Sequence, residues 1–558
     1  MASVSLAIFL LGGPVAAVSS KAISIPPSEF FIGDDGRWST FWVTLGTPRQ
    51  SVQLLPGTSA TAANMPWVIQ PEGCTGANAN ITDCASIRGG LFARNQSTSW
   101  LADSPGKDVL YSLVTYEENI LGLYGTAYYG FDNIQLGLVG SGMPIIGKQL
   151  IAAYQSNDWF VGYLGLSPYA FNFSTSDAPI PSLIGNLVNQ SAIPGPSWGY
   201  TAGAAYLETP VYGSLTLGGY DKARIDSRNT LHDVPFSPDI SRDLVVQLLS
   251  ITYDSEGTTL LSTEPISIFI DSMVTELWLP VTVCQQFEKA FNLTWNDTAS
   301  LYLIDDFVHA TLAAHNPTFQ FKLSSPSNIS GPLVSISIPY AALDLTASAP
   351  LYPSGSRYFP LKQAQNSTQY TLGRAFLQAA YVTADYDKQS FSVAQALFPI
   401  DWKAVDLVTL GGSPAPGLSK AAIAGIAVGG ATVLIFLVLI TVWLIRKRRR
   451  RQQGHLSAAT AGETQATLDA AEEHYNDKHD SHELKGSPAQ QYGGKHDSYE
   501  LRGSPAPQYD PRGSLLSELS ADGRYQHRGS ARCELAGTPV NEMPGSSTIF
   551  ELRETGER

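Results

Sequence analysis

Leu45-Gly46-Thr47-Pro48-Arg49-Gln50-Ser51-Val52-Gln53-Leu54-Leu55-Pro56-Gly57-Thr58-Ser59 is the stretch on which the reading of the fold turns. Two later stretches belong with it. The first is Ile270-Asp271-Ser272-Met273, followed by Leu277-Trp278-Leu279-Pro280; the second is Tyr370-Thr371-Leu372-Gly373-Arg374-Ala375-Phe376-Leu377-Gln378, then Tyr381-Val382 and Asp385-Tyr386-Asp387. Around them, residues 28–400 alternate short β-branched or aromatic runs with Gly, Pro, Asn and Ser clusters, which is an all-β pattern. Phe41–Leu45, Ile134–Leu138, Leu244–Thr252, Ile266–Ile270 and Tyr381–Ala384 are expected strands. Val281–Phe291 carries apolar residues at helical spacing and is expected to be a helix beneath them.

Taken together, the three stretches resemble the pepsin-like aspartic protease family. In that family a Gly-Thr-Pro strand leads into an Asp-Thr-Gly motif, a second Asp-Thr/Ser-Gly motif sits in the other lobe, and a Leu-Gly-X-X-Phe-Leu strand follows late. Val161–Leu166, Gly213–Asp221 and Phe391–Ala396 are similar to further landmarks, in the family's order and over roughly 360 residues. The resemblance implies two β-rich lobes with a substrate cleft between them. It also implies chemistry by two facing carboxylates that share one proton, one activating water while the other protonates the carbonyl oxygen.

The sequence departs from the family at that centre. Counted forward from Gly46, Gly57 falls where the first acid should stand, and no Asp or Glu occurs from Gly36 to Pro71. Asp271 is the retained candidate catalytic acid and is expected to be vestigial, a buried hydrogen-bonded loop aspartate. Met273 replaces the second motif's glycine and is expected to crowd a tight loop. Thr61–Met65 reads as an insertion before Trp67. For the family's flap, Tyr124-Gly125 resembles its start, but Tyr128 or Tyr129 could equally be the flap tyrosine, so none is assigned.

Further out, the sequence reads as a single-span type I membrane protein. Residues 1–20 contain an apolar run, Leu6–Leu11, and small residues Val15-Ala16-Ala17, as in a secretory signal cleaved near Ala17 to Ser20. Residues 21–400 form the expected two-lobed domain and 401–420 the linker. Residues 421–445 carry no charge; as an α-helix they would extend about 37 Å, enough to cross a bilayer. Arg446-Lys447-Arg448-Arg449-Arg450-Arg451 follows and places residues 446–558 on the cytoplasmic side. All Asn-X-Ser/Thr acceptors, at Asn80, Asn95, Asn172, Asn189, Asn292, Asn296, Asn328 and Asn366, precede the span. Cys74 and Cys84 suit a short disulfide loop in an oxidising compartment, and Cys284 a buried apolar position.

Charge divides the chain in the same way. From Lys21 to Asp406 there are 18 basic and 32 acidic side chains, so the outer part is acidic, which argues against nucleic acid as a partner. The tail is polar and expected to be disordered. In it Lys478–Tyr492, KHDSHELKGSPAQQY, returns at Lys495–Tyr509 as KHDSYELRGSPAPQY, a 17-residue period, and Glu534–Pro539 is a partial third copy. Ser487, Ser504 and Thr538, each before proline in this motif, are candidate phosphorylation sites for a kinase or tail-binding protein. No His, Cys or Asp spacing has a metal signature, and no cofactor is expected. The expected function is a membrane-anchored pepsin-like glycoprotein without catalysis, at the plasma membrane or another secretory-pathway membrane, binding peptide or cell-surface polymer in its cleft and signalling through its tail. An active cell-surface aspartic-type endopeptidase and a structural surface glycoprotein are the alternatives.

Overall fold

A computed structural model describes residues 20–411, apart from 61, 63, 103–109, 114, 174–177, 254–256, 262–263 and 354, together with 440–447 and the backbone of 533–534. The expected signal segment before residue 20, residues 412–439 and nearly all of the tail, with Ser487, Ser504 and Thr538, lie outside the described residues. The chain divides into two units, 1–415 with 529–558, and 416–528. In the second, only 440–447 are described, and they are helical.

The first unit is built from strands, as the alternating pattern requires. A nine-stranded sheet forms one lobe and an eight-stranded sheet the other. A six-stranded sheet draws strands from widely separated parts of the chain, in the order Ile23–Ile25, Val211–Leu217, Ser197–Ala204, Ala380–Asp385, Ser390–Ala396, Ile225–Pro235. Corresponding parallel pairings occur in the two lobes. In the first, Gln50–Gly57 lies beside Gly162–Gly165, with Gly57 opposite Gly165. In the second, Ile266–Ile270 lies beside Thr371–Leu372, with Ile270 opposite Leu372. Each pairing ends a strand at the centre of the molecule, and there the candidate motifs meet.

Expected elements recur with small shifts. Ile266–Ile270 and the helix Val281–Phe291 have the expected bounds. Phe41–Leu45 belongs to a longer strand, Trp38–Leu45, and Leu244–Thr252 shifts by one residue to Val245–Tyr253. Ile134–Leu138 ends early, at Leu136, because Gly137 turns the chain with φ +79°. The helix Val281–Phe291 buries Val283, Cys284, Phe287 and Phe291. Phe287 and Phe291 meet Phe319 and Phe359 of the second lobe, ring centroids 5.2–6.4 Å apart. Amphipathic spacing on a chain too short to be stable alone becomes a helix because this aromatic cluster receives its apolar face.

Two expected boundaries change. Residues 401–411 are not simply linker: Leu407–Thr409 pairs antiparallel with Gly219–Asp221, so the folded unit continues past 400. Within the tail, Cys533–Glu534 forms a two-residue strand parallel to Phe171–Asn172. Among the described residues no helix is long and apolar enough to cross a membrane, and most of the expected span is not among them. Cys74 and Cys84 form a disulfide with Cα atoms 5.8 Å apart, and Cys284 is buried and free.

Truncating Phe287 to alanine should remove one face of the aromatic cluster and destabilise the second lobe by about 3–5 kcal/mol. Urea unfolding of the full chain followed by tryptophan fluorescence should show a lowered midpoint.

Candidate functional site

Thr58 and Ser272 fix the site. The Thr58 backbone N–H donates to Ser272 Oγ at 3.0 Å, and the Ser272 N–H donates to Thr58 Oγ1 at 2.9 Å. Ser272 Oγ–H then reaches the Pro56 carbonyl at 2.6 Å. This reciprocal pair sets the register of the two loops against each other, so the residue before Thr58 is equivalent to the residue before Ser272. Those residues are Gly57 and Asp271. Gly57 therefore stands in the first-lobe loop where Asp271 stands in the second, and it offers no carboxylate there.

Asp271 is 1% exposed. Its N–H donates to the Leu372 carbonyl at 3.1 Å, and its carboxylate accepts the Met273 N–H at 2.9 Å. Met273 does not crowd the loop as its size suggested. Its backbone keeps the hydrogen bond that the turn needs, its carbonyl accepts from Tyr163 OH at 3.1 Å, and its side chain is buried with Trp38, Leu55 and Tyr163. Of the expected insertion, Ala62 and Met65 are buried and residues 61 and 63 are not described.

The residue facing Asp271 is Glu118, which the sequence reading did not single out. The flap is the hairpin of Leu110–Ser112 against Thr126–Leu136, with Ser112 opposite Thr126. Its connection holds a short helix, Tyr116–Ile120. Of the three tyrosines considered for the flap, Tyr124 is exposed, and Tyr128 and Tyr129 lie in the strand Thr126–Leu136. The helix turns Tyr116 outward, 63% exposed, and Glu118 inward, 0% exposed. Burial, and then the charge of Asp271, hold Glu118 well above the usual carboxylate range, partly offset by the Ser59 hydroxyl. Burial likewise pushes Asp271 up to about 6, opposed by the Met273 N–H and by Arg374. Behind them Asp243, hydrogen-bonded to Tyr386 OH at 3.0 Å, is pushed by burial to about 7.

The neighbouring Glu117 anchors the helix. Its carboxylate pairs with Arg242 at 2.9 Å and accepts from Ser241 Oγ at 2.8 Å. Arg242 also donates to the carbonyls of Thr368 and Tyr370, and Gln369 Nε2 donates to the Ile120 carbonyl at 2.7 Å. The connection is thus tied to the second lobe on both sides of Glu118.

Arg374 is the other functional side chain that the sequence did not assign, although it lies inside the quoted Leu-Gly-X-X-Phe-Leu motif. It is 3% exposed and donates to the Ser272 carbonyl and Tyr163 OH at 2.7 Å and to Asp35 at 2.8 Å. Its guanidinium stacks over Trp38, 4.9 Å from the ring centroid. Lateral to Asp271, a cavity of about 590 Å³ opens between the lobes, lined by Asp34, Trp38, Trp278, Trp295, Glu276 and Arg374 among others. Asp34 is 6% exposed, and burial and the adjacent Asp35 hold it well above the usual carboxylate range.

Of the expected glycan acceptors, Asn80, Asn95, Asn189, Asn292, Asn328 and Asn366 are exposed and Asn296 is half-buried. Asn172 is 2% exposed, beside the Cys533–Glu534 strand, and does not offer its amide to a glycan in this arrangement. Among the described residues no group of three His, Cys, Asp or Glu side chains could hold a metal ion.

Two β lobes joined by reciprocal loop hydrogen bonds, with a flap hairpin over the junction, define a mostly-β protein of the pepsin-like class. The chain matches the eukaryotic aspartyl protease family over residues 40–396 of its 558 and belongs to that family. Among solved structures it is similar to the aspartic proteinase from Irpex lacteus, at 19% identity over 69% of this chain and 100% of that one, with a TM-score of 0.45. No curated protein matches.

Ser272→Ala should leave the buried Thr58 N–H and the Pro56 carbonyl without their partner, at a cost of about 1–3 kcal/mol. Ser272→Thr should retain most of that stability in the same urea titration.

Proposed function

We propose that this protein is a membrane-anchored member of the family that does not cleave peptides and instead binds peptide or cell-surface polymer in its cleft. The observation that carries this reading is Gly57 in register with Asp271. Peptide hydrolysis by this class requires a water held between two carboxylates with access for the scissile bond. Asp271 has no partner from the loop at Gly57, and the carboxyl that meets it belongs to the flap helix lying over it. The lateral cavity, with its tryptophans and acids, supplies the mix of apolar surface and few polar groups that a ligand site needs.

A second reading has one observation in its favour. Glu118 and Asp271 are a pair of buried carboxyls with raised proton affinity, so Glu118 could stand in for the missing acid. The two readings separate in one assay. Full-length protein in detergent micelles, offered a mixed peptide library from pH 3 to 6, should show no cleavage above that of Asp271→Ala. Cleavage abolished both by Asp271→Ala and by Glu118→Gln would establish the peptidase and overturn the first reading.

The membrane anchor rests on the uncharged residues 421–445 and the six cations after them. The helix at 440–447 adds support: Ile440, Val442, Trp443, Leu444 and Ile445 are all exposed, an apolar surface that lipid would cover. A crossing there is incompatible with Cys533–Glu534 resting on Phe171–Asn172 in the same molecule. A two-residue pairing contributes on the order of 1–2 kcal/mol, whereas moving six cations through a bilayer costs far more, so the crossing takes precedence. A tag at the C-terminus should therefore be reached by antibody only after cells are permeabilised, while glycosidase treatment of the same protein lowers its apparent mass. Staining of intact cells would overturn the type I orientation. Signalling belongs to the same proposal and rests on the repeated motif around Ser487, Ser504 and Thr538.

A further inference from the structure

We infer that the helix Tyr116–Ile120 is a proton-locked plug: Glu118 reaches down onto Asp271, a proton shared by the two carboxyls holds the flap over the cleft, and loss of that proton releases it. The inference rests on the reading of the cleft as a binding site only for its use, because the lock itself is defined without a ligand.

The geometry carries it. Glu118 and Asp271 come from opposite walls of the cleft, one from the flap connection and one from the second lobe, and both are shut away from water. Two ionised carboxylates cannot share so dry a site, and beside Asp271 Glu118 meets the neutral Ser59 hydroxyl rather than a cation, so one carboxyl keeps its proton and donates it to the other. The surrounding charges reinforce this. On its own helix Glu118 faces Glu117; from the first lobe, the Ser59 hydroxyl; from the second lobe, Asp271. Asp271 in turn feels Glu117, Asp243 and Tyr163, with Arg374 the cation on its side. Arg242 is engaged by Glu117. The balance is acidic, and opening the flap relieves it by giving Glu118 to water.

The sign follows from the raised proton affinities. In the closed state both carboxyls hold protons more tightly than in water, so closure is fully favoured below the ordinary carboxyl range. It is lost as pH rises through about 6 for Asp271 and through the raised range of Glu118. Glu117, whose carboxyl burial also holds above the usual range despite its contacts with Ser241 and Arg242, adds to the same dependence. The cleft is therefore closed in an acidic compartment and released toward neutral pH. Leu121 and Leu123, which follow the helix, line the lateral cavity, so lifting the plug also widens that cavity toward Asp271.

Amide hydrogen exchange on the full-length protein in micelles, from pH 4.5 to 8, tests this. After division by the intrinsic exchange rate, opening at residues 117–123 should rise by roughly tenfold per pH unit within the window where one proton is lost, while strand Trp38–Leu45 stays protected. Glu118→Gln, which replaces the shared proton by a permanent amide donor, should flatten the profile, and Asp271→Asn should do the same by an independent route. Glu117→Gln should raise opening at every pH and lower the slope only in part, leaving the component that Glu118→Gln and Asp271→Asn remove. A flat profile in the wild-type chain, or an undiminished slope in both Glu118→Gln and Asp271→Asn, overturns the plug. Since no ligand is present, neither result bears on whether the cleft binds one.

Discussion

Everything at the centre of this molecule depends on the reciprocal hydrogen bonds between Thr58 and Ser272. Each loop ends a strand held in a parallel pairing, and each offers one hydroxyl and one backbone N–H to the other. Because all four groups are buried, any misfit would leave polar atoms without partners in a site that water does not reach, a penalty larger than the net gain of the bonds themselves. The bonds therefore specify how the lobes meet more than they stabilise the meeting. Neither Gly57 nor the Asp271 carboxylate takes part in the junction, so the scaffold does not depend on which residues stand at those two positions.

Arg374 extends the same logic. It ties the loop at Ser272 to Tyr163 and Asp35 of the first lobe and lays its guanidinium on Trp38. A buried cation with these partners brings the lobes together through charge-assisted bonds, and the acids around the cleft give it a reason to stay charged. It also tempers Asp271 from the side away from the flap. The interface thus contains its own counter-charge, which the Asp243–Asp271–Glu118 cluster would otherwise lack.

The fold was legible in the sequence because its signals are local and repeated. Turn residues punctuate β-branched runs, and the motifs around Gly46, Asp271 and Gly373 keep their order, so strands, helix Val281–Phe291 and the two-lobed plan could all be anticipated. The vacancy at Gly57 was legible too, since a stretch without any acid admits no register that restores one. Glu118 was not. It follows the aromatic Tyr116 in a polar flap segment where a pair of glutamates reads as a solvated turn, and only the long-range closure of the hairpin brings it to Asp271. Arg374 was hidden for the opposite reason: a single cation in an apolar run gives no hint of partners 102–339 residues away in sequence. The pairing of Leu407–Thr409 with Gly219–Asp221 shows the same limit, because a strand of three residues has too little pattern to separate it from a linker.

Gly57 and Glu118 depend on each other. Had an aspartate stood at Gly57, three carboxyls would converge on one dry site, and closure of the flap would require two protons to be held there against water. With glycine, the position next to Thr58 presents only backbone, and a single proton suffices to reconcile Glu118 with Asp271. The glycine in the first-lobe loop thus lets the flap carry an acid inward without excessive electrostatic cost. Seen this way, Asp271 is neither an idle remnant nor half of a broken engine. It is the fixed acceptor of a contact whose other member moves, and its burial, which excludes a peptide bond while the flap is down, is the property that makes that contact sensitive to protons.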